Sequence, residues 1–374
     1  MDELIVLYFQ PTLGHAHRAR VRMLDSQPGI RCIGVQYADR ELTRAPEGQD
    51  ATPMHTLDRG VYEHLPWTQR ATSAVRFAKA SGAHAAILDS PADSAQFATG
   101  WWLQRLGIKT FVRWASTRED YPRRAWRERL KRPVYRRWDG YLATGARAAQ
   151  YAASFGVTQD RIFICGNPVD VLPFASAASA RSGEREACFL FVGRFIWHKN
   201  LEGLLNAYDS YRKRGGTFRL EIAGEGSGES ADRVRARAAT TPGVRMLGFL
   251  GARELAEAYA RASCLVLPSL SENWGLVVNE AMHAGLAVIV SERCGCVTEL
   301  VRDGENGFIV DPERPESIAA ALERTEALGG ERRAAMGARA RILVASQTPE
   351  LWAERCAAAL RQICTFSPYS AIEG

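Results

Sequence analysis

The sequence has no apolar run of the roughly 20 residues that a membrane-spanning helix needs, and its first residues, Met-Asp-Glu-Leu-Ile-Val, lack the basic segment of a signal peptide. Its eight cysteines show no paired zinc-site spacing, and Cys294-Gly-Cys296, the one close pair, is typical of a structural loop. The net charge is a modest +6, and we expect no nucleic-acid partner. These observations predict a cytoplasmic protein with reduced thiols and no zinc site.

The 374 residues, of which 46% are apolar, suit two α/β domains. The chain opens with an apolar run over residues 4–9, a turn that ends at Gly14, and a helical pattern from His15. This order of strand, glycine turn and helix is how a nucleotide-binding α/β domain begins, and the pattern restarts at Cys188. We therefore predict an N-terminal domain over 1–172, a linker over 173–185, a C-terminal domain over 186–348, and a helix within 349–374 that closes the second domain or reaches back to the first.

The segment from Arg118 to Arg137 is basic, since it contains nine Arg or Lys residues and only three acidic residues. Aromatic residues, among them Trp126 and Tyr135, are interleaved with the charges. This composition suits an anionic membrane surface or an anionic substrate. A solvated arginine-rich helix explains the pattern equally well.

Two carboxylates, Glu272 and Glu280, surround a predicted helix start near Gly275. The free amides of such a start favour an anion such as a phosphate. Flanking carboxylates can grip the vicinal hydroxyls of a sugar, since each accepts two hydrogen bonds. The alternative is that Glu272 caps the helix and Glu280 pairs on its surface. The candidate binding residues between the two carboxylates are Asn273, Trp274, Gly275 and Leu276.

Two cations, Arg194 and Lys199, follow the first strand of the second domain after the tight turn at Gly193. Paired cations can neutralise a departing diphosphate where other enzymes use magnesium. The sequence contains no Asp-x-Asp triplet, so a metal clamp of that kind has no candidate and we expect no cofactor. Each cation taken alone could be an ordinary exposed residue.

Weaker signals come from the glycine-rich loop that contains Gly226 and from the turn at Phe249, each of which follows an apolar run. The glycines would let a nucleotide approach the backbone, and the turn could offer backbone groups to a base. A short glycine-rich loop is weak evidence by itself, and an ordinary strand and turn explains the pattern at Phe249 at least as well.

These motifs resemble the retaining GT-B glycosyltransferases of family 4, over nearly all of the C-terminal half and more loosely over the N-terminal half. The Glu-x7-Glu pair at 272 and 280, the cations at 194 and 199, and the run over 299–311 give the resemblance. It implies two Rossmann-like domains that face each other across a donor cleft. It also implies that Arg194 and Lys199 hold the donor diphosphate, Glu280 the ribose and Glu272 the transferred sugar, with Gly14 facing the diphosphate.

The resemblance implies a metal-independent transfer of a hexose-type sugar from a UDP- or GDP-linked donor to a hydroxyl acceptor, in surface polysaccharide or glycolipid synthesis. The acceptor would lie against the N-terminal domain. Many relatives have a histidine where this chain has Thr110-Phe-Val-Arg-Trp-Ala-Ser116. Candidates to replace that histidine are Arg113, Ser116 and Asp93 and, less favoured, His15 or His17; the alternative is that its contribution is absent.

Three other functions stay open at this point. They are glycosylation of a soluble metabolite, a sugar-nucleotide 2-epimerase, and a nonenzymatic nucleotide-sugar-binding subunit. A lipid-linked acceptor fits the basic aromatic segment, and for it we expect peripheral contact with the inner membrane face through residues 123–137.

Overall fold

A computed structural model of the protein describes residues 3–40, 52–90, 92–119, 125–180 and 183–365. The described residues form two compact units. The first contains those up to Asp170, except Glu119, and those from Thr348 onward, and the second contains Val171–Gln347. None of the helices in these ranges is both long enough and apolar enough to cross a bilayer.

The first unit is built on a seven-stranded parallel sheet with the strand order β3-β2-β1-β4-β5-β6-β7. Its strands are β1 Leu4–Gln10, β2 Ile30–Gln36, β3 Met54–Thr56, β4 Ala85–Leu88, β5 Lys109–Trp114, β6 Gly140–Ala143 and β7 Ile162–Ile164. Its helices are α1 His15–Asp25, α2 Trp67–Ala80, α3 Ser94–Arg105, α4 Ala125–Tyr135, α5 Ala146–Ser154 and, after the second unit, α14 Pro349–Thr365.

Both faces of this sheet are covered, which explains why its strands are almost continuous apolar runs. Alternate residues of β1 enter opposite cores: Leu7 and Phe9 pack into one, Val6 and Tyr8 into the other. The second core also contains Trp352 of α14, and α14 packs against α1, β6 and β7. The last helix of the chain thus belongs to the first unit.

The second unit has a six-stranded parallel sheet with the order β10-β9-β8-β11-β12-β13. Its strands are β8 Cys188–Val192, β9 Arg219–Ala223, β10 Val244–Gly248, β11 Cys264–Leu267, β12 Ala287–Ser291 and β13 Gly307–Val310. Its helices are α6 Leu172–Ala180, α7 Leu201–Lys213, α8 Glu229–Thr240, α9 Ala252–Arg261, α10 Leu276–His283, α11 Val297–Leu300, α12 Pro315–Ala327 and α13 Gly329–Val344. Two α/β units on parallel sheets confirm the predicted fold class.

The segment predicted as a linker contains helix α6 instead of irregular chain. Its alanines favour a helix, although its small residues give no amphipathic period for a sequence pattern to reveal. Phe174 provides the tertiary contact, since its ring packs edge-on against Tyr259 at a centroid distance of 5.6 Å. The three-residue edge strand β3 was not predicted from the sequence either.

Candidate functional site

The strand order of the second unit brings together the two strongest sequence motifs. Strand β8 pairs on one side with β9 and on the other with β11, so the sheet reverses its order at β8. Parallel α/β sheets bind ligands at the carboxyl ends of strands at such a point. The segment after β8 contains Arg194 and Lys199, and the segment after β11 contains Glu272. Residues 73 positions apart therefore meet at one edge of the sheet.

Lys199 forms an ion pair with Glu272, in which its Nζ donates to Oε2. The two side chains are only 14% and 16% exposed, so this pair is largely shielded from water. Arg194 is exposed, and within the described ranges its side chain makes no hydrogen bond or ion pair. Burial lowers the pKa of His198, and the positive charges of Lys199 and Arg194 lower it further. His198 is therefore mainly neutral at pH 7, and the cationic character of this edge comes from Lys199 and Arg194.

The loop that bears Glu272 is held by the segment that contains the close cysteine pair. The amide of Gly295 donates to the Glu272 carbonyl at 2.9 Å, and the amide of Cys296 donates to the Trp274 carbonyl at 3.0 Å. A Cβ on Gly295 would lie 1.9 Å from the Asn273 carbonyl oxygen, so only glycine fits there. The side chains of Cys294 and Cys296 are both buried, which agrees with a structural role.

Helix α10 begins directly after this loop, at Leu276, with Gly275 as its N-cap at φ 98°. Glycine adopts this left-handed backbone without strain. The indole of Trp274 is buried and donates to Asn279 Oδ1 at 2.9 Å, which fixes the loop against the helix. The first amides of α10 have no carbonyl partner inside the helix, and the helix dipole favours an anion beside them.

Glu280 lies half-buried in α10 and accepts a hydrogen bond at Oε2 from the Tyr259 hydroxyl, 2.7 Å away. No hydrogen bond to Oε1 is found among the described residues, so that oxygen can accept one from a ligand. Burial raises the pKa of Glu280, and the bond from Tyr259 partly opposes this shift. Glu280 is thus not an ordinary exposed helix residue.

The glycines of the predicted nucleotide loop allow two backbone segments to touch. Gly224 has φ 130°, and a Cβ on it would lie 2.0 Å from the Gly193 carbonyl oxygen. A Cβ on Gly226 would lie 2.7 Å from the Phe195 carbonyl oxygen. Phe249, at the end of the neighbouring strand, is 65% exposed. These glycines have a packing role whether or not a nucleotide approaches them.

The first unit has its own polar cluster at the carboxyl ends of β4 and β5. Arg113 donates to Asp89 Oδ1 through Nε at 2.8 Å and also through Nη2. Asp93 caps helix α3 by accepting from the Gln96 amide at 2.9 Å, and it accepts from the Tyr62 hydroxyl at 2.8 Å. Asp93 therefore already stabilises the first unit through these two hydrogen bonds.

The positions of the other residues predicted for a site in the first unit indicate little about ligand binding. Gly14 is the N-cap of α1, and its carbonyl accepts from the amides of His17 and Arg18. Ser116 lies partly exposed after β5. The side chain of His15 falls outside the described part of the structure, as do Arg123 and Arg124 of the basic segment.

Several polar residues that meet within one or the other unit were not singled out from the sequence. Buried Arg20 donates to Asn167 Oδ1 at 2.7 Å, and its Nη1 lies 3.3 Å from His17 Nδ1. Asp89 gave one usable signal, because it directly follows an apolar strand. Tyr259, the partner of Glu280, gave none, since its position matches the buried face of an ordinary amphipathic helix.

One group of side chains in the described residues has the chemistry of metal ligands: Glu186, Cys188 and Glu221, whose ligand atoms lie within 4.8 Å of one another. Guanidinium groups already bind the Glu221 carboxylate, which accepts hydrogen bonds from Arg261 at 2.6 Å and from Arg219 at 3.2 Å. Burial opposes ionisation of Glu221, yet these bonds hold its pKa below the usual value. The group is an ion-pair network that fits arginine better than a metal.

The C-terminal part of the chain matches a known family. Residues 175–343 match the model described as glycosyl transferases group 1. A D-inositol 3-phosphate glycosyltransferase of Acidothermus cellulolyticus is 32% identical over 200 residues, 48% of this chain and 44% of the relative. A phosphatidyl-myo-inositol mannosyltransferase of Mycobacterium tuberculosis is 32% identical over 197 residues, 52% of this chain and 50% of the relative. The chain spans about half the length of these curated relatives.

Solved structures of similar architecture cover nearly the whole chain. A sucrose-phosphate synthase from Thermosynechococcus elongatus has a TM-score of 0.78 at 18% identity, over 98% of this chain and 100% of that one. The Anabaena protein HepE, solved in complex with UDP-glucose, has a TM-score of 0.74 at 13% identity, over 96% and 99% of the two chains. At such identities the likeness concerns the fold.

Proposed function

Because the chain has the GT-B fold and belongs through residues 175–343 to the glycosyl transferases group 1 family, we propose that it is a retaining glycosyltransferase. It transfers a hexose-type sugar from a nucleotide diphosphate sugar to a hydroxyl acceptor. The observation that supports this best is the arrangement around the start of α10. A shielded Lys199–Glu272 pair precedes the helix, and the half-buried Glu280 lies within it.

Each group at this edge has a task that its surroundings permit. The free amides of α10 and the cations Arg194 and Lys199 neutralise the donor diphosphate. Glu280 accepts a hydrogen bond from a ribose hydroxyl at its open oxygen Oε1. Glu272, held by Lys199, binds hydroxyls of the transferred sugar. Binding of this kind aligns the donor and stabilises the charge that develops on the leaving group.

The transfer step needs no protein base in this scheme. The acceptor oxygen forms a bond to the anomeric carbon while the bond from that carbon to the diphosphate oxygen breaks. The leaving diphosphate takes up the proton of the acceptor hydroxyl on the same face of the sugar, so the anomeric configuration is retained. The protein contributes positive charge at the leaving group, where metal-dependent enzymes use a cation.

The comparisons support the choice of donor and acceptor. HepE, which shares the fold, binds UDP-glucose, and the two curated relatives act on inositol phosphate and on phosphatidyl-myo-inositol. We propose a UDP- or GDP-linked donor and an acceptor on a lipid. Acceptor recognition is assigned to the first unit, at the carboxyl edge of its sheet where Arg113 and Asp89 pair.

Peripheral contact with the inner membrane face is part of this proposal. Helix α4 exposes Trp126 and Leu130, which are 56% and 69% exposed, among Arg and Lys residues. Helices α2 and α3 pack against each other, contain no acidic residue, and expose Trp67 and Trp102. Exposed tryptophans among an excess of positive charge are typical of protein surfaces that bind an anionic membrane.

The experiment is a panel of UDP-, GDP- and ADP-sugars incubated with the protein in EDTA, in which release of the free nucleoside diphosphate is measured. One donor should be hydrolysed slowly. Glu280→Gln and Arg194→Ala should reduce the rate roughly 10- to 100-fold, the cost of losing a hydrogen bond to a charged group. The matched controls Glu229→Gln and Arg253→Ala change exposed residues and should leave the rate unchanged. Absence of both turnover and binding for every donor would contradict the proposal.

A further inference from the structure

Helix α9 presents a buried tyrosine to the carboxylate of α10, and this contact has no part in the mechanism so far. We propose that Tyr259 is a positioning residue for Glu280: its hydroxyl fixes oxygen Oε2, so that oxygen Oε1 is presented to a hydroxyl of the bound nucleoside diphosphate. The inference rests on the proposed function and names the group that orients its nucleoside-binding carboxylate. Tyr259 itself touches no ligand in this scheme.

The geometry restrains both partners of this hydrogen bond. Tyr259 is completely buried, and its ring packs edge-on against Phe174 of α6, so the hydroxyl can be displaced little. Its oxygen lies 2.7 Å from Oε2 of Glu280, the distance of a strong bond to a carboxylate. A glutamate with one oxygen held in this way loses less side-chain freedom when a ligand binds the other oxygen.

Arg185 fixes the two helices that bear these residues. Its Nη1 donates to the carbonyls of Tyr259 and Ala260 at 2.8 Å and of Ala262 at 3.0 Å, at the end of α9. Its Nη2 donates to the carbonyl of Ala284 at 2.7 Å, directly after α10. One guanidinium thus satisfies the terminal carbonyls of both helices and holds α9 against α10.

The shifted pKa of Glu280 makes its contact with Tyr259 measurable through pH. Burial raises the pKa of Glu280, and the hydrogen bond from Tyr259 lowers it. His283 on the same helix and Arg341 of α13 do not contribute to this shift, and α6 has no charged residue. Burial and the charge of Glu280 raise the pKa of Tyr259 well above its ordinary value. The hydroxyl therefore keeps its proton, and remains a hydrogen-bond donor, over the whole pH range of the experiment below.

The test is Tyr259→Phe in the full chain, with Kd for UDP, GDP and ADP measured by calorimetry between about pH 5 and 9. The nucleoside hydroxyl donates to the ionised carboxylate, so affinity should fall as pH drops through the pKa of Glu280. In Tyr259→Phe that pKa is higher, and the fall should begin at a higher pH. At neutral pH we expect Kd to be weakened roughly 2- to 10-fold, the cost of ordering the freed Glu280 side chain when the ligand binds.

The matched control is Tyr211→Phe, which removes a similar hydrogen bond from a tyrosine to Glu326 on α12. It should leave the Kd and its pH profile unchanged. A Glu280→Gln background gives a second measurement, because there the further loss from Tyr259→Phe should shrink if Tyr259 acts through the carboxylate. Each profile of Kd against pH is divided by its own value at high pH. A fraction of unfolded protein that is the same at every pH then leaves the shape of the profile unchanged.

The outcomes separate the two proposals. If wild type binds none of the three nucleotides, the proposed function fails. If wild type binds and Glu280→Gln weakens binding, but Tyr259→Phe has the wild-type Kd and pH profile, the positioning role is refuted and the function stands. An equal loss from Tyr259→Phe in both backgrounds would likewise refute it, since the tyrosine would then act independently of Glu280.

Discussion

Replacing Lys199 by alanine removes the cation that faces Glu272 and leaves a carboxylate that is only 16% exposed without its counter-charge. Breaking a buried pair by removing one partner costs about 3–5 kcal/mol, whereas replacing both partners by apolar side chains of similar volume is often close to neutral. Both side chains keep a little contact with water, so we expect the lower value, about 3 kcal/mol. For a unit of this size, the loss corresponds to a Tm decrease of about 6–12 °C.

The double variant Lys199→Ala/Glu272→Ala separates stability from binding. It should regain part of the lost stability, because no uncompensated charge remains, although the two alanines do not fill the volume of the original side chains. It should not regain stabilisation by nucleotide, because Lys199 is the proposed diphosphate ligand. The pair Arg253 and Glu257, one turn apart on the surface of α9, provides the control: alanine at both positions should change the free energy of unfolding by less than about 0.5 kcal/mol.

The assay is thermal unfolding of wild type, the two single variants and the double variant, with and without UDP or GDP. The transition that nucleotide shifts in wild type reports on the second unit. If Lys199→Ala unfolds within about 1 °C of wild type, the ion pair contributes nothing and the reasoning from burial is wrong. If Lys199→Ala keeps the full nucleotide shift, Lys199 is not a diphosphate ligand.

Three further expectations follow from particular contacts. Gly295→Ala should abolish nucleotide binding, measured by calorimetry, because its Cβ would displace the Asn273 carbonyl and the loop before α10; normal affinity would contradict this. Arg185→Ala should lower the Tm of the second unit by several degrees in a melting experiment, since five carbonyl contacts lose their donor; an unchanged Tm would count against a clamping role. Trp126→Ala/Leu130→Ala should weaken flotation with anionic liposomes at low salt, whereas wild-type flotation of the variant would exclude α4 from the membrane surface.

Local patterns in the sequence were sufficient for the secondary structure around the site. The apolar run that starts at Cys188 predicted β8, and the start of α10 was expected near Gly275, where the structure has its N-cap. Such patterns succeed because a strand in a parallel sheet buries both faces and a helix must begin where the chain can turn. The same patterns failed at α6, whose alanines and serines form a helix without a periodic apolar face.

The chemical candidates were also visible in the sequence as residue types, but their partners were not. Arg194, Lys199, Glu272 and Glu280 could be named because charged residues directly follow apolar strands or surround a helix start. Nothing local indicated that the hydroxyl next to Glu280 comes from Tyr259 on the preceding helix, because an aromatic residue on an apolar helix face predicts only burial.

The sequence by itself therefore determined most of the strands and helices and the residue types available at their ends, since hydrophobic periodicity and turn chemistry act over a few neighbouring residues. Tertiary structure alone decided which of those ends meet. Lys199 reaches Glu272 because β11 pairs with β8, and α14 joins the first unit because Trp352 is buried in one of its cores. Strand order and helix docking depend on contacts between residues far apart in the chain, and no local pattern specifies them.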